Sequence, residues 1–533
     1  MSISRNTRSQ APNLLKGLNE FEMDWTSVSK LRSFIMGDGF TDLAKEKLGI
    51  RYGPSSIFAE QGKKFEDNVF DIIIEKFPND YILLEKYNDY QGTIDAIKNN
   101  VPIIFQAPLK NDKLKLRGIA DILMKRDFLP KIFDNVILPE NDGYVVIDVK
   151  FKQIMTLKNG FVSNSGDFKF YKVQTYCYNE MLSELQNVNM EYSYIMGKGI
   201  YGRKLNPFET LGVVDNTDEW CESVVVNTLH HLEHVKQFHS IYDFKELPKR
   251  YLPNMSVETY VPEINELKCD VIKNDVSRLP HCGVKQRELV NFKSWNDDDF
   301  DVEVLNLNDN RKELLKKMID IQKSDKKFDI DISSCNLELD DAVFLDFETI
   351  PNIVNIDPLN QDKSISNYTF MTGVRRHGKF TCITTQYYSM DSERIMFKKF
   401  LKYMKMNEYP KIVYYYADKK FFDNLVDRHG EDLSESYHTI IRKLNYCWFD
   451  LCSYLKENKF VAKGLFDYKL KNIVSVLNLC EYGDMVNGKH AFEVAINHYT
   501  QKEDEKGMKM IEEYNGIDCL ALEVIYKFLK CNI

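Results

Sequence analysis

Short apolar runs, each closed by a charged or turn-forming residue, alternate along this chain with longer stretches whose apolar positions recur every three or four residues. The short runs predict strands and the longer periodicity predicts helices. In the C-terminal part this reading places strands over Ala342–Phe347, Phe380–Tyr388 and Lys411–Ala417, a helix over Asp391–Met406, and a long helical pattern over Met510–Leu529. In the N-terminal part it places strands over Arg117–Leu123 and Gly143–Lys150, and a helix opening near Gln61. There is no internal repeat and no long low-complexity tract. Strands alternating with helices in both parts predict an α/β (α+β) fold. The expected divisions are a polar N-terminal arm over 1–52, a first α/β domain over 53–245, a more polar region over 246–334 interrupted by Pro253, Pro262 and Pro280, and a second α/β domain over 335–533.

A length of 533 residues accommodates those divisions. No apolar stretch approaches a membrane span, and Met1–Gln10 is polar and basic with no apolar core behind it. The expectation is an intracellular protein, cytoplasmic or nuclear, neither secreted nor membrane-anchored. Eleven cysteines without a C-x-x-C pair predict free thiols in a reducing compartment. A net charge of −9 disfavours a passive nucleic-acid coat, yet local basic strips can coexist with metal-binding acids.

The chemistry begins at Asp346-Phe347-Glu348, which ends the run Ala342–Leu345. On a strand both carboxylates share one face, and two like charges buried side by side are costly unless cations lie between them. Far downstream Tyr514 and Asp518 are one helical turn apart and share a face. This strand D-x-E followed by a helical Y-x-x-x-D resembles the two-metal 3′→5′ exonucleases of the DnaQ type. The segments Phe466–Lys471 and Tyr514–Asp518 extend the likeness to the YprB-type RNase H-like domain over Cys335–Ile533. The resemblance implies four carboxylates around two ions, Mg²⁺ or Mn²⁺, that activate water and stabilise the leaving oxygen. It assigns Asp346, Glu348 and Asp518 as ligands and Tyr514 to the attacking water. The remaining acid is Asp418 in Tyr416-Ala417-Asp418, with Asp423 as competitor; Asp450 fits a supporting role. Similar domains often carry His-Ala-Glu where this chain has Tyr416-Ala417-Asp418.

In the first domain, Asp148-Val149-Lys150 ends an apolar strand, and Gly118-Ile119-Ala120-Asp121 sets another aspartate in a strand. Asp121 and Asp148 are candidate metal ligands. Lys150, on the face of Asp148, can position water or neutralise developing charge. Gly62 and Glu66 lie on one helix, and Gln174 and Tyr178 one turn apart on a later one. The ordered set G-x-x-x-E, G-x-A-D, D-x-K, Q-x-x-x-Y resembles the RecB-family PD-(D/E)xK nucleases. It implies a restriction-endonuclease-like domain that cleaves DNA with Glu66, Asp121 and Asp148 holding the metal and Lys150, Gln174 and Tyr178 completing the site. Some relatives carry an iron–sulfur cluster; after Cys177 no cysteine spacing here suits one, so none is expected.

Other motifs are weaker. Gly483–Lys489 imitates a P-loop but lacks the following Ser or Thr, and the run before it reads as helix rather than strand. His230-His231-Leu232-Glu233-His234 matches an inverted zinc motif without an evident third ligand, so an amphipathic helix is the better reading. Val276–Lys285 resembles a small helix–hairpin–helix, with a plain linker turn as the equal alternative. Lys110, Lys113, Lys115 and Arg117 form a basic hairpin, and Lys398, Lys399, Lys402 and Lys405 ride one helix. Such lysines are usually solvated.

The whole pattern resembles RecB-like nucleases carrying a C-terminal RNase H-like exonuclease domain. The implied function is metal-dependent nucleic-acid cleavage at two separate centres in processing or repair, with DNA the favoured substrate over RNA and a helicase an admissible partner. The alternative is a protein in which one domain cuts and the other grips the substrate.

Overall fold

The computed structural model describes residues 25–50, 57–202, 206–238, 247–257, 259, 261–331, 337, 339, 341–351, 367–482, 488–500 and 505–532. The chain is mixed α/β and forms two compact units: the described residues up to Lys273 make the first, and those from Asn274 onward the second. The polar region expected between two domains is thus shared. Pro262–Val271 is a helix of the first unit, whereas Val284–Leu289 and Asp309–Lys323 are helices of the second. In the second unit Trp295, Leu315 and Met318 share a core with Val461. Among the described residues no helix is long and apolar enough to cross a membrane, and every described cysteine is free.

The first unit is built on strands β1 (Thr26–Ser27), β2 (Tyr81–Leu83), β3 (Ile103–Asn111), β4 (Leu116–Lys125), β5 (Tyr144–Val149), β6 (Tyr192–Met196) and β7 (Gly212–Asp215). They form one sheet in the order β2-β3-β4-β5-β6-β7, with β1 paired to β4. β5 is buried along its whole length, as expected of a central strand covered on both faces. Val145, Ile147 and Val149 enter one core with Phe65 and Val69. Tyr144 and Val146 enter another with Val173, Cys177 and Met181 of the Phe168–Gln186 helix. Period-2 alternation therefore turns Asp148 toward that helix.

The second unit contains β8 (Phe328–Asp329), β9 (Val343–Ile350), β10 (Tyr368–Arg376), β11 (Lys379–Thr384), β12 (Ile412–Tyr414), β13 (Trp448–Asp450) and β14 (Val461–Ala462). Five of these make a sheet in the order β11-β10-β9-β12-β13, while β14 pairs with β8. β9, β10 and β11 are antiparallel neighbours; β12 and β13 run parallel to β9. Val343, Leu345 and Phe347 face Phe397 and Phe400. Phe344 faces Leu522, Ile525 and Tyr526 of the Glu505–Asn532 helix. Along that helix the buried positions Ile511, Tyr514, Asp518, Leu522, Ile525 and Leu529 step by three or four, so a single stripe lies across β9 and carries Tyr514 and Asp518 with it.

Several elements end earlier than their apolar patterns. β11 stops at Thr384 because Gln386 and Tyr387 donate backbone N–H to Ser392 Oγ. β12 stops at Tyr414: Tyr416 takes φ +61°, and a helix begins at Asp418. The run before Gly483 is not helical throughout; the Leu470–Leu477 helix ends at Asn478, which takes φ +53°. Gly483–Asn487 of the P-loop-like segment lies outside the described residues, as do Met1–Asp24 of the N-terminal arm.

Candidate active site

In the second unit Asp346, Glu348 and Asp518 each offer a carboxylate oxygen, and these oxygens lie within 4.8 Å of one another. Among the described residues they are the one group of three acidic, histidine or cysteine side chains so arranged. Burial and then the neighbouring Asp418, Glu348 and Asp518 charges push Asp346 well above the usual carboxylate range. Burial and Asp518 push Glu348 up to about 8, and burial pushes Asp418 up to about 7. Asp518 is raised by burial, against hydrogen bonds from Tyr482 and Tyr514 and the charge of Lys471. A concentration of hard oxygen donors that resist ionising together could hold a hard divalent cation.

Asp418 stands apart from the trio. Its Oδ1 accepts the Phe347 N–H at 3.0 Å and its Oδ2 the Tyr415 N–H at 3.3 Å, which ties it to β9 between the two strand acids. Two accepted bonds still leave lone pairs for a cation. Asp423 is half exposed and pairs with Lys419 on the same helix. Asp450 caps the Leu451–Glu457 helix, its Oδ1 accepting Cys452 N–H at 2.9 Å and Ser453 N–H at 3.2 Å.

Four contributors escaped the sequence reading. Asn515 donates from Nδ2 to Asp346 Oδ2 at 2.6 Å and to the Asp346 carbonyl at 3.2 Å. Gly373 faces Asp346 across the β9–β10 ladder. A Cβ there would come within 1.7 Å of Asn515 Oδ1, so glycine is required for the amide to reach the acid. Tyr482 donates its hydroxyl to Asp518 Oδ1 at 2.6 Å. The Lys471 ammonium lies 4.5 Å from the centre of the Tyr514 ring and 4.6 Å from that of Tyr482; partial burial lowers its pKa against the pull of Asp518 and Glu348. Lys471 and Asn515 sit inside the two segments that carried the resemblance; Gly373 and Tyr482 have no local signal.

In the first unit Asp121 Oδ2 accepts the Val149 N–H at 2.6 Å, and Lys150 Nζ lies 2.7 Å from Asp148 Oδ2. No donor reaches Asp148 Oδ1, although it is buried. Burial, then Asp121 against the counter-pull of Lys150, holds Asp148 at about 7. Burial and Asp121 together hold Glu66 at about 7. Burial alone would lower Lys150, but Asp148 and Asp121 outweigh it and keep the ammonium above its ordinary value. Gln174 Nε2 donates to Tyr178 Oη at 3.0 Å, and burial followed by the Asp148 and Asp121 charges pushes that phenol far up. A Cβ on Gly118 would meet the Tyr178 ring at 2.4 Å, which accounts for the glycine of G-x-A-D. Gln106 also escaped the sequence reading. It takes φ +54°, is skipped with Asp121 in the β3–β4 ladder, and donates to Glu66. Glu66, Asp121 and Asp148 are electrostatic neighbours, but their oxygens do not converge as tightly as the second unit's trio.

The remaining motifs have structural occupations. In the basic hairpin Lys110 reaches Asp112 at 3.4 Å and Lys113 reaches Glu184 at 3.7 Å. Lys399, Lys402 and Lys405 are exposed on the Met390–Met406 helix. Around Val276–Lys285 the Asp275 carboxylate both caps Ser277 N–H and holds the buried Arg287 at 2.8 Å.

A family model of the RNase H superfamily matches residues 343–530. No curated protein matches the chain. The matched span runs from the start of β9 almost to the end of the terminal helix and encloses every acid of the second centre. The second unit therefore holds an RNase H-like domain, a nuclease-type fold with an acidic cluster at its centre.

A cation at that cluster would need the acids ionised, whereas burial favours their protonated forms. Their folded pKa values lie above the ordinary 3.8 and 4.5, so the stability they contribute is present at low pH and is lost as pH climbs through about 7 and 8. In EDTA the melting temperature is expected to fall from pH 6 to pH 8. The upward shift given by Mn²⁺ should grow over the same interval. Thermal melts with and without Mn²⁺ at both pH values check this; a Mn²⁺ shift independent of pH contradicts it.

Proposed function

We propose that the protein is a divalent-metal-dependent nuclease whose second unit removes nucleotides from 3′ ends. The observation that carries this is the convergence of Asp346, Glu348 and Asp518 inside an RNase H-like domain. Bound ions would supply water activation and stabilisation of the leaving oxygen. Asp346, Glu348 and Asp518 hold them, with Asp418 as the fourth acid, oriented by its two backbone bonds. Asn515 fixes the Asp346 carboxylate, and Tyr482 fixes that of Asp518. Tyr514 orients the attacking water beside Asp518. Lys471, clamped by two tyrosine rings, offers the cation for a phosphate oxygen of the substrate.

The first unit is proposed as a RecB-like, PD-(D/E)xK centre acting on DNA, with Glu66, Asp121 and Asp148 toward Mg²⁺ or Mn²⁺. Lys150 neutralises developing charge there, and Gln174 and Tyr178 line the site. The proposed nuclease domains, 53–245 and 335–533, are each shorter than the compact units, which divide between Lys273 and Asn274. A role in DNA processing or repair, with a helicase as partner, follows from that resemblance. The second reading is that this unit grips nucleic acid while the other cuts. It is favoured by the looser spacing of Glu66, Asp121 and Asp148.

Labelled single- and double-stranded DNA and RNA, incubated with Mn²⁺, test the proposal. A ladder shortening from the 3′ end is expected. Cleavage that is indifferent to Mn²⁺ overturns it. Gly373→Ala should push Asn515 off Asp346. The loss of one charge-assisted hydrogen bond, about 1.5–3 kcal/mol, predicts 3′-end removal slowed roughly 10- to 100-fold, with the melting temperature as control.

A further inference from the structure

The H-x-x-E-H segment leads to a site that the nuclease reading does not use. His230, His231 and His234 lie on the Glu219–Phe238 helix of the first unit and line a cavity of about 390 Å³ together with Arg250. Phe34, Ile35 and Val224 give it an apolar wall, and Asn227 stands at its edge. The motif's acid takes no part in the lining: Glu233 is buried and pairs with Lys236 at 2.9 Å.

The lining is prepared for something. His231 is held from behind by Asp42, whose Oδ2 is 3.2 Å from His231 Nε2. Phe34 stacks on the imidazole with 4.2 Å between ring centres and 16° between planes. A Cβ on Gly39 would come within 2.9 Å of His231 Cε1, so a glycine clears room for the ring. Among the described residues no carboxylate lines the cavity. Partial burial, Arg250 and the two neighbouring histidines push His234 below its ordinary value, the signature of positive groups crowded without an anion. A metal cage is the poorer match. The three histidines are not among the described residues whose ligand atoms converge, and a guanidinium beside a metal ion is unfavourable.

We propose that this cavity binds a phosphomonoester, with Arg250, His230 and His234 on the phosphate and the Phe34–Ile35–Val224 wall against the nucleoside that carries it. Arginine and imidazole donors suit a dianionic oxygen cluster. The volume lies in the range of small-ligand pockets. The phosphate could come from a free nucleotide or from the 5′-phosphorylated end of a nucleic acid. The proposal does not depend on either nuclease centre.

Isothermal titration of the full chain in EDTA, which disables carboxylate–metal binding of phosphates, provides the test. The probes are dAMP, deoxyadenosine, and an oligonucleotide with and without a 5′-phosphate. dAMP should bind at least tenfold more tightly than deoxyadenosine. Arg250→Ala should weaken it roughly 10- to 100-fold, the cost of lost charge-assisted hydrogen bonds. Asn227→Asp, an isosteric change at an exposed position, should weaken it as well by adding a like charge. A 5′-phosphate preference of the oligonucleotide matching that of dAMP assigns the site to strand ends; tight binding of dAMP alone assigns it to free nucleotides. Equal binding of dAMP and deoxyadenosine, or dAMP affinity unchanged in both variants with unchanged melting temperatures, overturns the proposal. So does stoichiometric Zn²⁺ binding that Asn227→Asp strengthens and His234→Gln removes.

Discussion

Asp346→Asn is expected to abolish removal of 3′ nucleotides while leaving the second unit folded, and in EDTA to raise its melting temperature. The two effects have one cause. Asp346 is pushed well above the usual carboxylate range by burial and by the Asp418, Glu348 and Asp518 charges, so a neutral amide there avoids the cost of either protonating the acid or burying its charge when no ion is present. Under the proposed function the same charge would hold the ions, which would contribute several kcal/mol of transition-state stabilisation. The loss should therefore be on the order of 10³-fold or more. The asparagine still fits beside Asn515, which now contacts the Asp346 side chain at 2.6 Å. Exonuclease assays and thermal melts in EDTA check both halves. Full activity with a raised melting temperature would mean that the acidic cluster is not the catalytic centre.

The second large effect belongs to the first unit. In a chain whose second centre is disabled by Asp346→Asn, Asp148→Asn is expected to eliminate the remaining Mn²⁺-dependent DNA cleavage. Asp148 lies at the end of a fully buried strand, 2.7 Å from Lys150 Nζ and with one oxygen that no donor reaches. Under the proposed function that free oxygen would face the metal while Lys150 holds the other. Lys150→Ala should retain Mn²⁺ binding and slow cleavage roughly 10²-fold, as for loss of one electrostatic stabiliser of the transition state. If the Asp346→Asn chain has no cleavage to lose, yet still binds DNA, the gripping reading of this unit replaces the catalytic one.

Phosphomonoester binding in the His-rich cavity would leave both results untouched, since neither acid lines it. The three experiments are thus separable.

The alternation of Ala342–Glu348 and the three-four stepping of Met510–Leu529 were legible without coordinates, because a strand and an amphipathic helix each write their period into the chain. From those periods Asp346 and Glu348 had to share a face, and so did Tyr514 and Asp518. Gly143–Lys150 likewise announced a buried strand ending in D-x-K. What the chain's linear order could not reveal was which distant groups close on those faces. The choice between Asp418 and Asp423 is open in the sequence because both follow the same strand within the first two turns of one helix. In the folded chain Asp418 is buried against Phe347 N–H, and Asp423 is half exposed beside Lys419. Gly373 and Tyr482 carry no local signature, since a glycine in a strand and a tyrosine in a loop mean nothing until Asn515 and Asp518 arrive from the terminal helix. Gln106 reaches Glu66 only because the β3–β4 ladder skips it. The H-x-x-E-H run reads from the sequence as an amphipathic helix, and it lies on the Glu219–Phe238 helix; only the fold turns Glu233 away and sets Arg250 beside the histidines. Local periodicity determines which face a side chain takes, because it depends on backbone geometry alone. Partnership across long sequence separations depends on how the packed elements meet, and only the folded chain contains that information.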